Sequence, residues 1–207
     1  MSLPLLHVLA GDDQAGRPDF MEVVGRLQEA CGADLAVHLR LRDVSTSRLL
    51  EQASVIAAAA EGLGGWCVVN ERLDVALAAG AQAAQLGRRA LPLSAARRVA
   101  GRRLRLGVSV HDEREARDAV RGGANYLVLG TIYATGTHPE MRAHGPRIVE
   151  RCRGVGAPVI AIGGVDSGRV PELRSAGASG VAVIRAVWEA GDPVGAAKRL
   201  IDAWRTG

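Results

Sequence analysis

Short apolar runs rich in Val, Leu, Ile and Ala recur along the chain: LPLLHVLA (3–10), DLAVHLRLR (34–42), CVVNE (67–71), AAQLG (83–87), RLGVSVH (105–111), YLVLGTI (126–132), PVIAIGG (158–164) and GVAVIRA (180–186). Between them the apolar spacing becomes helical, as in FMEVVGRLQEAC (20–31), STSRLLEQASVIAAAAEGL (45–63) and DEREARDAVRGG (112–123). The first pattern is that of strands and the second that of amphipathic helices. Many of the helical runs stop at Gly-Ala or Gly-Gly, a usual exit before the next strand. Strands alternating with helices require parallel pairing through crossover connections. Eight such units predict an α/β fold, a single (β/α)8 TIM barrel spanning 1–207, with an open doubly wound sheet as the alternative. No linker or shift of composition marks a second domain.

Barrels of this kind carry their chemistry at the C-terminal ends of the strands. In DLAVHLRLR, Leu35, Val37, Leu39 and Leu41 form one apolar face that should pack on the helices. His38, Arg40 and Arg42 form the other, facing the lumen and its mouth. Basic groups there are costly unless acidic neighbours or an anionic ligand meet them, and their late position in the strand favours a ligand. RLGVSVH sends Leu106, Val108 and Val110 outward and Gly107, Ser109 and His111 inward, with His111 last, at the rim. Gln85 of AAQLG faces inward in the same way.

PVIAIGG ends on Gly163-Gly164, where backbone can approach a ligand closely and a following helix start would favour an anion. Barrels often hold phosphate between the loops after strands seven and eight. Arg185, ending the eighth run, is placed either to pair with that phosphate or to cap a helix. After the sixth run the chain breaks into TGTHPEMRAHG, a polar loop that brings His138 within reach of the mouth, with Pro139 to stiffen it.

Composition narrows the function. The 207 residues suffice for one sizeable core, and 48% apolar with 23% charged is ordinary for a soluble domain. Aromatics are only 3%, so the core must be aliphatic, nucleic-acid stacking platforms are unlikely on composition, and Trp66, Trp188 and Trp204 read as core. The formal charge of +4 comes from arginines spread along the chain, so no nucleic-acid patch is expected. Lys198, the single lysine, falls on the last helix, away from any interior Schiff-base site. No dinucleotide fingerprint opens the first unit. Cys31, Cys67 and Cys152 are odd in number and contain no CxxC, which argues against a disulfide framework or structural zinc and fits a reducing cytoplasm. The start SLPLLHVLAG has no basic leader, and no run is long enough to span a bilayer, so a cytoplasmic protein without a membrane partner is expected. The oligomeric state is open, a homo-oligomer included.

Segment 68–93, VVNERLDVALAAGAQAAQLGRRALPL, resembles the asparagine-aspartate-arginine and histidine-leucine-glycine segments of thiamine phosphate synthase. LGVSVHDEREA, GANYLVLGTIYATGTHP and PVIAIGG…GASGVAVIRAV are similar to the same superfamily in the same order. The resemblance implies a (β/α)8 barrel. It also implies a synthase that joins a pyrimidine diphosphate to a thiazole phosphate with magnesium, held by acids in the two segments first quoted. Here the first acid is Glu71, the second falls at Ala90 beside Arg88 and Arg89, and the synthase's lysine after the second strand is Arg42. Those departures, with Gln85 and the loop TGTHPEMRAHG, resemble the TenI-like branch that includes thiazole tautomerase. That branch implies a metal-free isomerase that aromatises a carboxythiazole phosphate tautomer, with a small phosphorylated thiazole as ligand.

On that reading no cofactor is needed, magnesium entering only for the synthase alternative. Gly163, Gly164 and Arg185 hold the phosphate. Arg40 holds the carboxylate, and His38, Arg42, Asn70, Gln85 and Ser109 complete the substrate site. The branch's catalytic histidine corresponds to Thr131, which leaves His111 and His138 as the candidate acid and base. A non-catalytic, regulatory TenI-like protein is the third possibility.

Overall fold

The computed structural model describes residues 2–135 and 143–206. Eight strands close into a parallel barrel in chain order: β1 Leu6–Ala10, β2 Leu35–Leu39, β3 Trp66–Asn70, β4 Ala83–Leu86, β5 Arg105–Val110, β6 Tyr126–Gly130, β7 Val159–Ile162 and β8 Gly180–Val183, with β8 returning to β1. Around them lie α1 Asp12–Ala15, α2 Phe20–Cys31, α3 Thr46–Leu63, α4 Leu73–Ala78, α5 Leu93–Ala100, α6 Glu113–Arg121, α7 Arg147–Arg151, α8 Val170–Ala176, α9 Arg185–Trp188 and α10 Pro193–Thr206. The open-sheet alternative is thereby excluded.

Local signals set several boundaries. Ser45 caps α3 by accepting from the Arg48 amide at 3.2 Å, and Gly64 ends that helix at φ 77°. Asp112 caps α6 by accepting from the Glu115 amide at 2.8 Å. Capping side chains satisfy amides that the first turn leaves without partners, and an αL glycine ends a helix without Cβ strain.

Alternation along the strands divides the core in two. Leu35, Val37, Leu39, Leu106 and Val110 point outward into the large cluster shared with the helices. Leu9, Ala36, Trp66, Val68, Ala83, Tyr126, Val128, Ile160 and Ala182 fill the lumen. The large rings need small neighbours: a Cβ at Gly107 would overlap both the Tyr126 ring and Gln85. All three tryptophans are buried. Trp188 stacks on Phe20 and donates its indole N–H to the Leu9 carbonyl at 2.8 Å, tying α9 to α2 and β1. Among the described residues, no helix is long and apolar enough to cross a membrane.

Candidate functional site

A cavity of about 910 Å³ occupies the C-terminal end of the barrel. Its floor is the last inward residue of several strands: Leu9, His38, Asn70, Gln85, Val128 and Ile162. Its rim is the residues that follow those strands.

His38 departs from expectation. It is fully buried, its Nε2 lies 2.8 Å from His7 Nδ1, and burial pushes its imidazole down to about 4. His7 is lowered as well, by burial and then by His38. Two imidazoles sharing one hydrogen bond cannot both carry a proton in a dry lumen, so both are neutral near pH 7. His38 is therefore a neutral floor residue with a histidine partner, not a cation awaiting an anion. His7, two strand positions below the mouth on β1, did not stand out because its run reads as purely apolar.

Arg40 and Arg42 also shift. β2 ends at Leu39, so both sit in the loop beyond it, and the Arg40 amide donates to the Ala10 carbonyl at 2.8 Å. Both side chains line the cavity. Burial, then Arg42, push the Arg40 pKa down; Glu71 works the other way and Arg89 adds to the lowering. Glu71 follows β3 at φ 65°, a left-handed conformation rare for a branched-out acid, and its carboxylate lies 3.8 Å from the Arg42 guanidinium. Arg88 and Arg89, following β4, line the same wall.

Gln85 donates to the Ser109 hydroxyl at 3.0 Å, while its own Oε1 is buried without a partner. That oxygen lies against Gly107, and the residue itself lines the cavity. His111, the residue after β5, has Nδ1 2.6 Å from the Gly130 carbonyl. A carbonyl only accepts, so Nδ1 carries the proton and Nε2 keeps its lone pair.

Across the mouth, Gly163 and Gly164 take φ values of 106° and 61°. A Cβ on Gly163 would lie 2.6 Å from Thr131 Cγ2, and one on Gly164 2.6 Å from the Ala134 carbonyl oxygen. The pair is thus required first by the β6 loop, whose Tyr133 amide donates to the Gly163 carbonyl at 3.0 Å, and it presents only backbone to the cavity. The expected helix start is not there. α8 begins at Val170, five intervening residues after Gly164, and has only seven residues, so its dipole does not contribute. Arg169 instead donates to the Gly164 carbonyl and lies over the Tyr133 ring at 4.4 Å, and sequence alone gave no sign of it. Arg185 opens α9, lines the cavity and reaches the Thr135 hydroxyl at 3.4 Å. Thr131 is buried at the cavity edge. His138 lies outside the described residues.

The donor set does not fit a magnesium ion. One carboxylate, Glu71, faces Arg42, and Ala90 offers a methyl group where the resemblance places the second acid. Among the described residues, no group of three His, Cys, Asp or Glu side chains could hold a metal.

A closed parallel barrel whose mouth sets glycine backbone and arginine on one side against an arginine wall on the other is a TIM-barrel protein with its cavity at the C-terminal ends of the strands. Within that class, residues 8–187 match the thiamine monophosphate synthase family, and the chain belongs to it. It is 40% identical over 210 aligned residues to the thiamine-phosphate synthase of Salinispora arenicola, covering 98% of each chain. It is 40% identical over 207 residues to that of Salinispora tropica, again with 98% coverage of both. The thiamine phosphate pyrophosphorylase of Pyrococcus furiosus superposes with a TM-score of 0.85 at 28% identity, covering 97% of this chain and 95% of that one.

Proposed function

We propose that the chain joins a pyrimidine diphosphate to a thiazole phosphate, forming thiamine phosphate. This is the reading held above as the alternative, and full-length likeness to proteins named thiamine-phosphate synthases supports it over the tautomerase. The observation that carries it is a single cavity with two separate anion-binding sides. The tautomer carries a phosphate and a carboxylate, and one guanidinium suffices for a carboxylate; four arginines on the second wall match a diphosphate better.

In this reaction the thiazole nitrogen attacks the methylene carbon of the pyrimidine. The new C–N bond forms as the C–O bond to diphosphate breaks, and the diphosphate leaves with that electron pair. Gly163 and Gly164, with Arg185 and Thr135, hold the thiazole phosphate. Gln85 and Ser109, bonded to each other on the cavity floor, lie beneath the ring that enters deepest. The barrel walls bring the two reacting atoms together and keep water away, which supplies most of what a displacement needs.

The test is incubation of both substrates with the folded protein, following thiamine phosphate by chromatography. Accumulation is expected; none above buffer rejects the proposal. One observation favours a second reading. His111 Nε2, left basic by the Nδ1–Gly130 bond, faces the cavity beside a wall that lacks the second acid. It suits proton abstraction in the tautomerase reaction. Aromatisation of the carboxythiazole phosphate, lost in His111→Gln, would establish that activity.

A further inference from the structure

The wall between β2 and β4 carries Arg40, Arg42, Arg88 and Arg89 against the Glu71 carboxylate, 3.8 Å from Arg42, and Asp12, whose charge also acts on Arg40. Among the described residues, the side chains of Arg40, Arg88 and Arg89 make no hydrogen bond or ion pair. Four guanidinium groups outnumber these two acids and repel one another, and that repulsion is relieved by a ligand carrying several negative charges. A divalent cation placed among them would add to it. Ala90, on the same turn, offers only a methyl group and nothing to draw such a cation in. Guanidinium groups also match phosphate oxygens two at a time.

We propose that this wall is a metal-independent diphosphate subsite, in which arginine side chains take the place of carboxylate-bound magnesium. Resting on the joining reaction above, the subsite receives the diphosphate of the pyrimidine substrate. As the C–O bond breaks, the charge that gathers on the leaving diphosphate is met by guanidinium N–H groups already in position.

Inorganic diphosphate titrated calorimetrically into the full chain tests this, once in EDTA and once with excess magnesium. Binding in EDTA is expected, with magnesium leaving it unchanged or weakening it by withdrawing free diphosphate. The double variant Arg88→Ala/Arg89→Ala should bind diphosphate at least about 10-fold more weakly, the loss of one or two charge-assisted contacts. Both residues are exposed and without partners, so the fold should persist, with thiazole phosphate affinity as the internal control. Ala90→Asp should weaken binding in EDTA and make it respond to magnesium. Binding only with magnesium, or a double variant that binds as well as the parent, overturns the proposal. The two readings separate cleanly. Metal-free diphosphate binding without thiamine phosphate formation rejects the joining reaction and keeps the subsite. Product made with magnesium alone, and no binding in EDTA, does the reverse.

Discussion

On the β6–β8 side of the mouth the cavity is shaped by glycine backbone clamped by packing, with Arg185 beside it; on the β2–β4 side it is shaped by long side chains with few partners. Gly163 and Gly164 cannot accept a Cβ without displacing residues 131–134. Arg88 and Arg89 can be shortened without disturbing anything. The first side is shaped by folding, so its changes register as stability. The second is shaped by charge, so its changes register as binding.

The harshest way to break this contrast is Gly163→Val. A positive φ and a Cβ 2.6 Å from Thr131 Cγ2 combine strain with overpacking, about 3 kcal/mol or more, read by urea unfolding. An equal loss from Arg88→Ala would erase the distinction.

Acid is the next lever, and it acts on the floor common to both sides. Burial depresses the folded pKa of His7 and His38, while in the unfolded chain each titrates near 6.5. The unfolded state therefore takes up protons first as pH falls. Stability is complete above about pH 6.5, drops between there and about 4, and loses about 3 kcal/mol from His38 alone. Unfolding at pH 7.5 and 4.5 measures this, and His38→Asn should flatten the slope.

Arg40→Gln should leave stability within about 0.5 kcal/mol yet weaken diphosphate binding by about 10- to 100-fold, seen by calorimetry. Smallest of all is Glu71→Asn. The 3.8 Å pair with Arg42 is partly exposed, so stability should change by less than about 1 kcal/mol, and diphosphate should bind as well or slightly better. A true magnesium ligand would instead abolish binding when removed.

Much of this was legible before any coordinates. Period-two runs and helical spacing identified all eight strands of the barrel, and inward positions such as Gln85 and Ser109 followed from the pleat. What failed did so for physical reasons. The strands end sooner than their apolar runs, because β2 stops at Leu39 once Arg40 reaches the rim. His38 is neutral because it is buried against His7 on the adjacent strand β1, a contact that no linear pattern reveals. The glycine pair answers to the β6 loop, since close approach between loops is a property of the closed barrel. The choice between joining and tautomerisation also lay beyond pattern reading, since both reactions use the same phosphorylated thiazole.

The contact between Thr131 and Gly163 has an evolutionary meaning. A lineage that placed a bulkier residue at 131, the histidine of the tautomerase branch included, could do so only while 163 stayed bare. The two positions should therefore drift as a couple. Any side chain grafted at 163 would first have to displace its neighbour at 131.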